Sequence, residues 1–221
     1  MLRKGLLACG ILSSLFYVAI TILTALRYEG YSSASQTISE LSAIGAPTRP
    51  SWVLLGAVYS LLVTAFGWGV WRSASRNRPL RVAGGLIIVG FAVTGLAWPL
   101  APMHSREVLA AGGGTLSDTM HIVLAMVTVV LMSLAIGYGA AAFGKRFRLY
   151  SINTMVILVV FGILTGLDSP RISANLPTPW IGVWERISIG AFLLWIVVLA
   201  VRLLRVRDAA RVTGHPKTLA A

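Results

Sequence analysis

The sequence predicts an all-α fold: a polytopic membrane protein built as a six-transmembrane-helix bundle with both termini cytoplasmic. Three observations carry this. Of the 221 residues, 57% are hydrophobic and only 12% are charged, and the mean hydropathy is +0.81, beyond the usage of soluble domains. Apolar runs of about 20 residues, the length a helix needs to cross the hydrocarbon, recur near 5–27, 52–74, 80–102, 118–143, 150–168 and 182–205. The cations, finally, segregate between alternate connections. Arg3, Lys4, Arg72, Arg76, Arg78, Arg81, Lys145, Arg146, Arg148, Arg202, Arg205, Arg207, Arg211 and Lys217 fall on one side, against Arg27, Arg49, Arg106, Arg171 and Arg186 on the other. The positive-inside rule assigns the richer side to the cytoplasm, which fits a multi-pass protein of a prokaryotic cell (inner) membrane.

The net charge of +12 does not imply a nucleic-acid partner, because the basic residues sit in short clusters between apolar runs and form no stripe that could track phosphates. Cys9 is the only cysteine, so there is no disulfide framework and no cysteine metal cluster; as a small buried hydrophobe it packs. Arg3 and Lys4 resemble the start of a signal peptide. The run behind them is too long for one, so it reads as a retained helix. The membrane domain takes in 1–208, and 209–221 reads as a disordered cytoplasmic tail.

In the first outer connection, Thr37-x-x-Glu40 has the form of a capping box, Ile38, Leu41 and Ile44 share one face, and Gly45 with Pro47 provides a stop. This predicts a short amphipathic helix at the interface, either covering helix ends or acting as a lid. Pro99 lacks an N–H and should bend or end the third run near Trp98. Trp98, Trp52, Tyr28, Tyr31, Trp180 and Trp184 map to one interface as an aromatic belt. Gly112-Gly113-Gly114 is a flexible approach to Asp118. Gly85, Gly90, Gly95 and the Gly137-x-x-x-Ala141 spacing permit close helix contact.

The chemistry centres on Asp118-Thr119-Met120-His121, an acid and an imidazole three residues apart where a polar loop enters an apolar run. On a helix they share a face, and an ionisable pair in a membrane segment is a functional-site candidate. Six of the seven acids, Glu29, Glu40, Glu107, Asp118, Asp168 and Glu185, lie on the outer side. Asp168 ends the fifth run as a cap. Glu185 opens the sixth, where it suits the helix dipole, and Arg186 beside it could pair with an acid from another helix, which is the simplest role, snorkel to the headgroups or bind an anion. Together His104, Asp118, His121, Asp168, Glu185, Arg186 and Glu40 are expected to line an outward-facing polar pocket roofed by the first loop. Such a pocket suits a small polar molecule or a lipid headgroup, for transport or sensing.

Two alternatives remain open at this level. His104, His121 and Asp118 could hold a divalent metal such as zinc with one position open to water, giving a metal-dependent membrane-embedded hydrolase, although no H-E-x-x-H motif is present. The same residues could instead cap helices, with His121 bonded to Asp118, in a scaffold that binds a partner protein. Membrane lipids are expected partners in every case. The sequence specifies neither a substrate nor an oligomeric state.

The six spans, Thr37-Ile38-Ser39-Glu40-Leu41 followed by Gly45-Ala46-Pro47, Asp118-x-x-His121, and Glu185-Arg186 at the opening of the last helix together resemble the domain of unknown function 998 family of prokaryotic membrane proteins. The resemblance covers nearly the whole chain. It implies a six-helix membrane domain and supplies no reaction.

Overall fold

The computed structural model describes residues 1–212, with side chains through Arg205. Among the described residues seven α-helices follow in order: α1 (Leu2–Arg27), α2 (Arg49–Ser73), α3 (Arg78–Ala97), α4 (Arg106–Ala110), α5 (Leu116–Ala141), α6 (Lys145–Ser173) and α7 (Ile181–Val212). Short 3-10 turns occupy Ile38–Ser42 and Trp98–Leu100. All the helices but α4 are long and apolar enough to cross a membrane, so the chain is a multi-pass membrane protein. The expected tail at 209–221 lies outside the described residues apart from its start, which continues α7 to Val212.

The six long helices form a closed ring in which α1 packs on α2, α2 on α3, α3 on α5, α5 on α6, α6 on α7, and α7 back on α1. The outward faces are apolar as well, with Leu61, Val89, Val130, Ile163 and Leu194 all exposed, as lipid requires. Aliphatic side chains such as Leu7, Val63, Ile87 and Leu199 fill the ring around a run of aromatic contacts: Phe91 and Phe192 stack at 5.7 Å, Phe192 and Trp195 at 6.1 Å, and Tyr59 meets Phe91 edge-on. Since lipid is as apolar as a leucine, association rests on close packing and on interhelical hydrogen bonds. Ser14 donates to the Leu193 carbonyl at 3.1 Å, Ser188 to that of Leu158 at 2.9 Å, and Trp195 Nε1 to Ser151 Oγ at 3.0 Å. Asn77 caps α3 through the Leu80 amide at 3.0 Å and reaches the Ala142 carbonyl at 2.8 Å, which ties two connections together at the cation-rich end.

Several expectations are refined. Helix α3 ends at Ala97, and Pro99 sits in the 3-10 turn that follows it, as its missing N–H dictates. Helix α6 runs to Ser173 with Pro170 inside it, so Asp168 lies within the last turns of a helix and is not an end cap. The first-loop helix shrinks to a 3-10 turn of five residues with Ile38 and Leu41 buried, while Ile44 lies outside it. Of the expected close-contact glycines, Gly85 and Gly137 face open space. Gly139 is the tight position on α5, since a Cβ there would run into the Trp195 ring.

Gly139→Ala is therefore expected to cost about 2 kcal/mol through overpacking, whereas Gly137→Ala stays within about 0.5 kcal/mol. Thermal unfolding of the two variants in detergent checks the difference.

Candidate functional site

At the end of the bundle opposite the cation-rich one, residues 28–48 form a strap across the helix ends. Its course is set by donors that meet its carbonyls. The first amides of α7 have no partner within their own helix, and Gly182 and Val183 both donate to the Ala34 carbonyl, at 2.9 and 3.3 Å. Gly182 is needed for this approach, because a Cβ would collide with the carbonyl oxygens of Ser33 and Gln36.

One turn further along α7, Arg186 reaches back to the same segment. Its Nη1 donates to the carbonyls of Ser33 (2.7 Å), Gln36 (3.1 Å) and its own Gly182 (2.9 Å), and its Nη2 donates to Tyr31 Oη at 2.7 Å. Arg186 thus binds carbonyls and a phenol; the expected pairing with an acid is not what it makes. Burial pushes the Tyr31 hydroxyl up to about 12, so it stays protonated and donates onward to the Thr37 carbonyl at 2.8 Å. Glu185 lies beyond the first turn of α7, where it accepts the Ile38 amide and so holds the start of the 3-10 turn. Its work is to fasten the strap, and the expected pairing with the helix dipole is replaced by that contact.

Glu40 is the most buried acid here, 3% exposed. It closes the capping box by accepting the Thr37 amide at 2.7 Å, as the Thr37-x-x-Glu40 spacing predicts. Its charge is met by Arg106 from α4, whose Nε lies 3.0 Å from Oε1 and whose Nη2 lies 3.2 Å from Oε2. Two parallel bonds of this kind are the strong arrangement for arginine and carboxylate. Arg106 also donates to Thr178 Oγ1 (2.7 Å), in the α6–α7 connection, and to the Ser35 carbonyl (3.0 Å). Sequence reasoning missed Arg106, Thr178 and the buried role of Tyr31. Arg106 did carry a signal: it is a cation retained on the acid-rich side, next to an apolar helix end.

A second cluster lies beside the first. Asp118 closes a capping box at the start of α5 by accepting the Thr115 amide at 2.8 Å. It also accepts the His104 amide at 2.7 Å, and His104 Nδ1 lies 2.8 Å from its other oxygen. His121 turns away from Asp118. It is buried, its Nδ1 donates to the Ala101 carbonyl at 2.8 Å, and its ring meets Trp98 edge-on at 4.7 Å. The acid's partner is therefore His104, and the expected Asp118–His121 hydrogen bond gives way because the Ala101 carbonyl, just past the 3-10 turn that follows α3, needs a donor. Ser117 donates to Pro102 at 2.6 Å, and the Ile44 amide donates to Met103 at 2.8 Å, which joins this segment to the strap.

A family model described as protein of unknown function (DUF998) matches residues 11–202. The chain belongs to the DUF998 family. The DUF998 match takes in part or all of the six long helices and every expected site residue. No curated protein and no solved structure matches the chain.

Within this DUF998 chain six of the seven expected residues fall into three groups. Glu40, Glu185 and Arg186 share the strap site, His104 and Asp118 form a pair beside it, and His121 is buried under Trp98. Asp168 stands apart on α6 and joins neither cluster. Among the described residues no group of three or more His, Cys, Asp or Glu is arranged to hold a metal ion; both imidazoles commit Nδ1 elsewhere. Of the spaces described between the helices, one is lined by Ile87, Phe91, Met132 and Phe192, and another, an open groove, by Gly137, Ala140 and Arg148. Neither is lined by an expected site residue.

Removing one partner of a buried ion pair leaves the other unmatched, so Arg106→Ala should destabilise the fold by about 3 kcal/mol. Asp168→Asn should change stability by less than about 0.5 kcal/mol. Equilibrium unfolding of both variants in one detergent checks this.

Proposed function

We propose that this is a binding protein of a prokaryotic inner membrane, with both termini cytoplasmic, whose strapped outer face takes up a small polar molecule or a lipid headgroup. The strap over residues 28–48 is its closing segment, and the described arrangement corresponds to the closed form. The single observation that carries the reading is the buried Glu40–Arg106 pair. A buried ion pair is seldom the most stabilising choice at a site, and here Glu40 occupies Arg106 as the carboxylate or phosphate of a ligand would. With the strap raised, Arg106 and Arg186 would be two guanidinium groups facing the same space, which favours an anionic group on the ligand.

A second reading, a partner-binding scaffold without chemistry, is favoured by one specific observation: each charged group of the strap site already has a partner within the chain, Glu40 in Arg106, Arg186 in carbonyls and Tyr31, and Glu185 in the Ile38 amide, and the described cavities lie elsewhere.

The two readings differ in what Glu40→Gln does. If Glu40 is a built-in competitor, weakening it populates the open form and tightens apparent binding in proportion to that population. Calorimetric titration of the purified protein with glycerol 3-phosphate and with glutamate should then give saturable binding of at least one anion, strengthened about tenfold by Glu40→Gln and abolished by Arg106→Gln. Loss of stability in both variants, with no saturable binding in any form, supports the scaffold and overturns the binding reading.

A further inference from the structure

The groove between α5 and α6 carries an inference independent of the strap. Its volume is about 280 Å³, and its walls include Gly137, Ala140 and Ala141 on α5 and Arg148, Ile152 and Met155 on α6. The Gly137-x-x-x-Ala141 spacing, which would ordinarily bring a helix close, here does the opposite. A Cβ at Gly137 would meet nothing within 4 Å, so the small residues leave a channel open on the lipid-facing side. From Arg148 to Met155 that channel follows about 10 Å of helix.

The mouth of the groove is basic. Helix α6 begins Lys145-Arg146-Phe147-Arg148, with no acid in its first turn and no side-chain cap on its N-terminal amides. Cations there oppose the helix dipole, and the free amides want an anion. Arg148 is exposed and enters no ion pair among the described residues. We infer that the α5–α6 groove seats one acyl chain of an anionic phospholipid, with its phosphate held by Arg148 and the amino end of α6. Charge decides between this occupant and a second copy of the chain. A two-fold contact across the groove would bring Lys145, Arg146 and Arg148 of each copy toward their like-charged equivalents, whereas a phosphate is complementary to them.

Native mass spectrometry tests this on protein purified with equal amounts of phosphatidylglycerol and phosphatidylcholine of the same acyl chains. The wild type should retain one phospholipid per chain and prefer phosphatidylglycerol about fivefold, the factor expected of one cation near an anionic headgroup. Arg148→Ala should keep the lipid but lose the preference, and Gly137→Leu should lose the lipid at unchanged melting temperature. If Gly137→Leu proves unstable, Ala141→Leu fills the same channel from the next turn. Equal retention in the filled variant, or no headgroup preference in the wild type, overturns the inference. So does a dimer that the filled variant dissociates, which would make a second copy the occupant.

Discussion

The polar end of this molecule depends on how a run of backbone carbonyls is satisfied next to a membrane. From Ser33 to Thr37, five consecutive carbonyls accept from donors supplied by other segments or by Tyr31: Arg186 at Ser33, the Gly182 and Val183 amides at Ala34, Arg106 and Thr178 at Ser35, Arg186 and Tyr31 at Gln36, and Tyr31 again at Thr37. An unpaired backbone group buried away from water costs about as much as a lost hydrogen bond. The strap and the start of α7 therefore answer each other's need: one has surplus acceptors, the other has amides without partners. Everything else at this end, the Glu40 pair included, is arranged around that docking.

This explains why arginine recurs where sequence bias disfavours it. A guanidinium presents five donors in a fixed fork, and both Arg106 and Arg186 use that multiplicity to bridge segments far apart in sequence. Arg106 alone links the strap, α4 and the α6–α7 connection. A lysine in either position would have one point of charge and could not bridge three acceptors in plane. The carboxylates follow the same logic. Glu40, Asp118 and Glu185 each accept a backbone amide, so each acid fixes chain geometry, and Glu40 balances the charge of Arg106 as well.

Most of the architecture was legible in the sequence, because length and hydropathy alone decide what can cross a membrane. The termination of α3 before Pro99 and the capping box at Thr37 followed from local rules. The same Thr-x-x-acid signature stands at Thr115 to Asp118, and recognising it would have directed Asp118 toward the α5 terminus and away from His121. What pattern alone could not yield was long-range partnership. That His104 would meet Asp118, and that Arg106 would meet Glu40, depends on how the connections fold over the helix ends, which periodicity does not encode. The helix boundary expected at Asp168 moved for a simpler reason: α6 tolerates Pro170 in its final turns and extends to Ser173.

The account rests on the strap being docked through its backbone, and hydrogen–deuterium exchange in lipid nanodiscs measures that directly. Slow exchange at the Thr37, Ile38, Gly182 and Val183 amides, lost together when Gly182 is replaced by alanine, is the predicted result. Exchange of the strap amides at the rate of an unstructured loop in the unaltered protein would contradict it.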